Sequence, residues 1–211
     1  MKKQLLTSVC LFMSFGLWTA LVCTVDVQTI GPMNSAVGFA TLNGWFHGLT
    51  GVHMFLYVIT DWLSLIPIGI ALGFAVLGLV QWIKRKNLSA VDSDILLLGG
   101  FYAATGIAYL IFEICVINVR PVPINGAMEE SYPSSTTVLV LCIMSTAIMQ
   151  MHARIANRCG RNTVILAMIV FSAFMVICRA VCGVHWLTDI IGGILLSAGL
   201  VMLYRSLYHF K

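Results

Sequence analysis

The fold class this sequence predicts is an all-α polytopic membrane protein, a bundle of six transmembrane helices, and three observations carry that prediction. Of 211 residues, 60% are hydrophobic and only 9% charged, with a mean hydropathy of +0.97. Soluble domains carry about a quarter charged residues. The apolar residues also fall into six runs of membrane-crossing length. Finally, all of the 12 lysines and arginines except Arg120 and Arg179 lie beyond alternate ends of those runs, on the side that would hold both termini.

The elements follow in order. Met1 to Gln4 is a short basic head, and Leu5 to Val25 is an apolar run of roughly 21 residues, longer than a signal-peptide core. It reads as an uncleaved first helix, ended by Asp26. From there to about Gly51 the chain is rich in Gly, Asn and Thr and holds Trp45, Phe46 and His47, the composition of an interfacial loop or short re-entrant helix. His47 and His53 are expected as interface or packing residues.

The second span runs from about Trp62 to Ile83, with Asp61 at one margin and Lys84, Arg85 and Lys86 as a stop at the other. Gly69 and Gly73 form a GxxxG, which permits close helix approach. Asp92, Ser93 and Asp94 supply N-cap chemistry for a third span from Ile95 to about Val119, carrying Glu113 near its far end. Residues 118–137, with prolines, a glycine and several charges, read as a loop. The fourth span is expected over Ser134 to Gln150, the fifth over Thr163 to Val181 and the sixth over Val184 to Tyr204. The chain thus divides into a two-span segment with an interfacial outer loop, residues 1–91, and a four-helix core, residues 92–211. The 7 cysteines are spread through apolar runs and read as small packing residues, not as a disulfide framework.

Positive charge orients the bundle. With both termini cytoplasmic, Arg120 and Arg179 alone fall on the outer face, and the topology brings them together there with residues 134–136 and His185. The N-termini of the fourth and sixth helices point at the same face, where free backbone N–H groups and two helix dipoles favour an anion. Ser134, Ser135 and Thr136 add hydroxyl donors at the first of these N-termini, although as N-caps they need no ligand.

The stretch from Cys178 to Asp189 holds the chemistry. Arg179, His185 and Asp189 place a cation, an imidazole and a carboxylate in an apolar run, where each is costly without a partner or a function. With a helix starting near Trp186, His185 and Asp189 share a face, so the carboxylate can fix the ring tautomer and leave the other nitrogen free as nucleophile or base. Gly183 allows a turn that returns the Arg179 guanidinium towards the ring. A purely structural ion cluster is the alternative. A metal site fits less well, because one histidine and one aspartate fall short of a coordination sphere.

Arg120-Pro121, Tyr132-Pro133-Ser134-Ser135-Thr136 and Arg179-x5-His185-x3-Asp189 together resemble the three ordered motifs of the type 2 phosphatidic acid phosphatase (PAP2) family, the membrane branch of a superfamily that includes vanadium haloperoxidases. The resemblance covers roughly residues 92 to 205. It implies a PAP2-like six-helix membrane phosphatase, independent of metals and other cofactors, that removes phosphate from lipid phosphates or diphosphates. By that resemblance His185 is the nucleophile that forms a phosphohistidine and Asp189 is its orienter. Arg120, Arg179 and Ser134 are the phosphate ligands, with Ser135 and Thr136 beside them.

Three positions depart from the family pattern. Glu113 stands where the first motif opens with a lysine, Thr136 where the second ends in a histidine that protonates the leaving group, and Cys178 where a serine precedes the arginine. The expectation is therefore a hydrolase of membrane lipid phosphates, of reduced activity, in the cell membrane with its site on the extracytoplasmic face. Its partners are the lipid substrate and the bilayer, not nucleic acid. A non-catalytic lipid-phosphate binder on the same scaffold is the alternative, favoured by Glu113 and Thr136, and His47 or His53 is a candidate replacement proton donor. A channel is disfavoured because the polar residues collect at one face. No residue pattern singles out one lipid or one oligomeric state.

Overall fold

The computed structural model describes residues 2–124 and 126–208. Its helices are α1 (Lys2–Thr24), α2 (Ala40–Thr50), α3 (Met54–Leu63), α4 (Leu65–Arg85), α5 (Ser93–Ile114), α6 (Ser135–Arg154), α7 (Arg158–Val181) and α8 (Leu187–Tyr208). Among the described residues there is no β-strand, only isolated bridges such as Val119 with Glu130 and Ile124 with Ala127. Six spans are long and apolar enough to cross a membrane, with α3 and α4 forming one. The protein is a multi-pass helical membrane protein, as its composition requires.

The helix boundaries differ from the sequence reading in three places, each for a local reason. The second span begins at Met54, not near Trp62, because α3 and α4 follow one another across Ser64 with Asp61 inside α3. The expected short helix after Asp26 is α2, which follows a turn where the Asp26 carboxylate accepts from the Thr41 N–H at 2.7 Å. Helix α5 stops at Ile114, not near Val119, so residues 115–119, apolar but for Asn118, leave the helix before the loop. Helix α7 begins at Arg158, earlier than expected, because the Asn157 side chain caps it by accepting from the N–H groups of Cys159 at 3.0 Å and Gly160 at 3.4 Å.

Helix α8 is the centre of the bundle and packs against α1 and α6. In lipid, helices gain little from apolar burial alone, so close approach and interhelical hydrogen bonds matter more. Both occur here. A Cβ at Gly199 would lie 3.0 Å from the Phe12 ring, and one at Gly193 would lie 3.1 Å from Thr137 Cβ. The Ser8 hydroxyl donates to the Gly199 carbonyl at 2.8 Å. Outward-facing residues such as Leu72, Val76, Leu166 and Val170 are exposed and apolar, as a lipid-facing surface demands.

The two ends of the bundle differ in kind. At one end, Arg154 pairs with Asp94 at 2.7 Å and Arg85 with Asp92 at 2.8 Å, tying short turns together. At the other end, the long loop after α5, the first turn of α6 and residues 182–186 between α7 and α8 converge. Gly183 makes that last connection possible. Its φ is +73°, and a Cβ there would collide with the Gly51 carbonyl oxygen.

Candidate active site

His185 lies in the turn between α7 and α8 and is only 3% exposed. Its backbone neighbours are fixed from several directions. The Trp186 indole donates to the Val119 carbonyl at 2.8 Å, and His47 Nε2 donates to the Gly183 carbonyl at 3.2 Å. The His53 N–H donates to the Cys182 carbonyl at 2.9 Å. Burial, more than any other influence, pushes the imidazole below its ordinary pKa, and Asp189 acts in the opposite direction. The ring is therefore held neutral, the form in which a nitrogen lone pair is free.

Asp189 is completely buried and its carboxylate is doubly engaged. One oxygen accepts from the Asn118 amide at 3.0 Å, the other from the Trp186 N–H at 2.9 Å. The latter contact is the return half of a capping box, with a carboxylate in the first turn satisfying the N–H of the residue before α8. His185 Nδ1 lies 3.8 Å from Asp189 Oδ2, a length beyond a hydrogen bond. The expected spacing thus brings ring and carboxylate face to face, but the carboxylate is positioned by Asn118 and the backbone, not by the ring.

Arg120 and Arg179, which stand apart from the other basic residues, meet here. The Arg179 guanidinium is 2% exposed. It donates to Thr136 Oγ1 at 2.6 Å, contacts Asp61 at 3.3 Å and stacks 4.9 Å from the Tyr57 ring centroid. Arg120 lies 5.8 Å from the same ring, and its Nε is 3.0 Å from a Glu129 oxygen, without the alignment of a hydrogen bond. Several donors are left over. Nε and Nη1 of both arginines and both ring nitrogens of His185 are buried without a hydrogen-bond partner among the described residues. Such groups cost about 1–3 kcal/mol each when unpaired, and more when charged, so their clustering at one place calls for a chemical reason.

A cavity of about 720 Å³ opens beside these donors. Arg120, Ser135, Thr136 and His185 line it, while Ser134, Arg179 and Asp189 stand behind that wall. The Ser134 hydroxyl accepts from Thr137 at 3.0 Å and its N–H donates to the Asp189 carbonyl at 3.1 Å, so it ties α6 to α8. Away from the donors the cavity runs between α5 and α6 past Tyr102, Thr105, Leu139 and Ile143. An amphiphile fits such a space, polar at one end and apolar along its length. Neither His47 nor His53 lines it; their ring nitrogens are bound to the carbonyls of Gly183 and Thr50.

Sequence reasoning missed Asn118, Tyr57 and the reach of Asp61. Asn118 carried a signal, a buried amide in an otherwise apolar run two residues before Arg120. Asp61 and Tyr57 meet Arg179 across more than a hundred residues and carried none.

Fold and site together define a helical membrane protein with a cluster of unpartnered buried donors beside a cavity at one end of the bundle. The family model of the PAP2 superfamily matches residues 99–211, and the chain belongs to that superfamily. It is also similar in structure to a transmembrane PAP2-type phosphatidylglycerolphosphate phosphatase from Bacillus subtilis, with a TM-score of 0.61 and 19% identity over 96% of both chains. At that identity the likeness speaks for the fold. No curated protein sequence matches the chain.

Proposed function

We propose that the protein is a lipid phosphatase that removes a phosphate or diphosphate group from a membrane lipid through a phosphohistidine. The observation that carries this reading is the buried His185, both nitrogens unpartnered, beside the unpartnered donors of Arg120 and Arg179 at the end of an amphiphile-sized cavity. Membership of the superfamily and the phosphatase named among its structural neighbours support it.

In this mechanism the phosphate oxygens take hydrogen bonds from the two guanidinium groups, with the hydroxyls of Ser135 and Thr136 alongside and Ser134 bracing the helix N-terminus. One nitrogen of His185 attacks phosphorus as the lipid oxygen leaves, and Asp189 stabilises the imidazolium that forms. Water then releases phosphate and restores the ring. The step uses no metal or cofactor. The four-helix segment 92–211 carries the chemistry, and the two-span segment 1–91 braces it. The excess of basic residues at the opposite end of the bundle supports cytoplasmic termini and an extracytoplasmic site in the cell membrane.

Phosphate release by the purified protein in detergent, across a lipid panel and beside His185→Ala, tests the proposal. Rapid quenching should trap an acid-labile, base-stable phosphoenzyme that is absent in His185→Ala. Full activity in that variant dismisses the mechanism. No turnover of any lipid moves the function to non-catalytic lipid-phosphate binding, the reading that Glu113 and Thr136 favour.

A further inference from the structure

The cavity beside His185 reaches deep into the bundle. On α6 it is lined from Ser135 to Ile143, and on α5 from Glu113 to Tyr102. At that inner end the Tyr102 hydroxyl lies 3.2 Å from Thr146 Oγ1. The Thr146 hydroxyl gives its own proton to α6, to the carbonyls of Cys142 at 2.8 Å and Ile143 at 3.1 Å, so Tyr102 is the donor. A hydroxyl inside hydrocarbon has no water to turn to, and swinging the ring aside would leave this one unpaired. The ring is thus held across the space between α5 and α6.

A second cavity, of about 430 Å³, lies beyond it between α4 and α5, past the apolar Ala75, Gly78, Leu79, Ile95 and Gly99. Tyr102 and Ala71 line both spaces, so the ring is the partition at which they meet. Thr136 and Thr146 are ten residues apart on α6, about 15 Å of helix, and one leaflet of a hydrocarbon core about 30 Å thick has the same depth. A lipid whose phosphate meets the donors beside Thr136 therefore brings the end of a leaflet-length tail to Tyr102.

We propose that Tyr102 determines specificity for tail length. Its ring floors the main cavity, so lipid phosphates with a tail of one leaflet's reach are preferred and longer tails are turned away. A tail moves between two apolar surroundings, membrane and cavity, so burial by itself discriminates little between lengths. Exclusion by the ring does. This rests on the phosphatase reading for turnover but not for binding.

Dodecyl, hexadecyl and tetracosyl phosphate, each presented to the full chain in detergent, test it. The first two should give similar kcat/KM, and tetracosyl phosphate a value lower by about tenfold or more, the low end of what one surplus methylene costs in a closed pocket. Tyr102→Ala joins the two cavities and should bring tetracosyl phosphate close to hexadecyl phosphate. Adding Gly99→Leu, where a Cβ meets nothing within 4 Å, refills the second cavity and should restore the cut-off. Gly106, one turn nearer the donors, has equally open surroundings, so Gly106→Leu should raise the floor and turn hexadecyl phosphate away as well. A native protein that takes all three tails equally, or a cut-off unmoved in Tyr102→Ala, overturns the proposal. Should Tyr102→Ala not fold, Gly106→Leu decides: a cut-off moved to shorter tails supports the floor, and an unmoved one overturns it. Phosphate release from hexadecyl phosphate that requires His185 upholds the phosphatase reading whatever the length profile, so the two failures are distinguishable. If no tail turns over, thermal shifts across the same series and variants decide by the same criteria.

Discussion

Replacing Thr136 with histidine probes how the leaving group departs. Thr136 stands in the first turn of α6, its oxygen accepting from Arg179 at 2.6 Å while its own proton stays available for a phosphate oxygen. A threonine hydroxyl donates a hydrogen bond but is far too weak an acid to protonate an alkoxide, and a positioned acid contributes about 10² to 10⁴ in rate. A lipid monophosphate therefore departs as a poor alkoxide, whereas a diphosphate expels a phosphate monoester that needs little protonation. Matched lipids should show a higher kcat on the diphosphate, by up to that factor. Thr136 faces a cavity of about 720 Å³, room enough for an imidazole. The Thr136→His variant should raise kcat on monophosphate by about tenfold or more, with a smaller gain on diphosphate. It also removes an acceptor from Arg179, so KM should rise for both lipids, the cost of a charge-assisted bond being about 1.5–3 kcal/mol. Single-turnover phosphate release in detergent separates the two effects. Equal rates on matched lipids, unchanged by the substitution, refute the reasoning.

Three other measurements bear on the site. Cysteine labelling should reach Met128→Cys from outside intact cells and Asn157→Cys only after permeabilisation; labelling of both from one side sinks the six-span topology. Burial holds His185 below its ordinary pKa of 6.5, and the attacking form is neutral, lost as pH falls through the folded value. The acid limb of kcat/KM should therefore have its midpoint below about 6.5 and move lower still in Asp189→Asn, which removes the anion that raises it; a midpoint above 7 contradicts the assignment. Asn118→Leu removes a bond to a buried carboxylate, so phosphoenzyme formation should slow by about tenfold to a hundredfold, and the acid limb should shift while the KM for lipid changes little.

Much of this bundle was legible because the membrane leaves so few options. An apolar run of about twenty residues can satisfy its backbone in lipid only as a helix. The ends were harder. Residues 115–119 are as apolar as the helix before them, and only their contacts, the bridge of Val119 to Glu130 and the Asn118 amide on Asp189, show that they have left it. The start of α7 was hidden for the opposite reason, since Arg158 and Arg161 look like a loop until Asn157 is seen to cap them. At the site, the Arg-x5-His-x3-Asp spacing placed three side chains correctly in the chain but could not give their bonding. Periodicity suggests that Asp189 holds the ring; the structure has it holding the helix N-terminus, 3.8 Å from the ring.

The N-terminal segment shows the same gap between motif and structure from the other side. None of its residues belongs to the three motifs, yet it supplies part of what fixes them in place. Asn43, fully buried, donates to Thr188 Oγ1 at 3.0 Å and accepts from the Thr188 N–H at 3.2 Å, holding the start of α8 beside Asp189. His47 packs on the Trp186 ring at 5.6 Å and holds the Gly183 carbonyl, so the turn carrying His185 is gripped on both sides. Tyr57 lies against both arginines, and Asp61 shares Arg179 with Thr136. A guanidinium left to water would sample many rotamers, and each immobilised rotamer-rich side chain costs about 0.5–1.5 kcal/mol on binding. Here the ring and the carboxylate bear that cost in advance. Preorganised donors of this kind are what a site for a developing charge requires. The motifs alone therefore do not constitute the site; it closes only when α2 and α3 lie across the end of the four-helix segment.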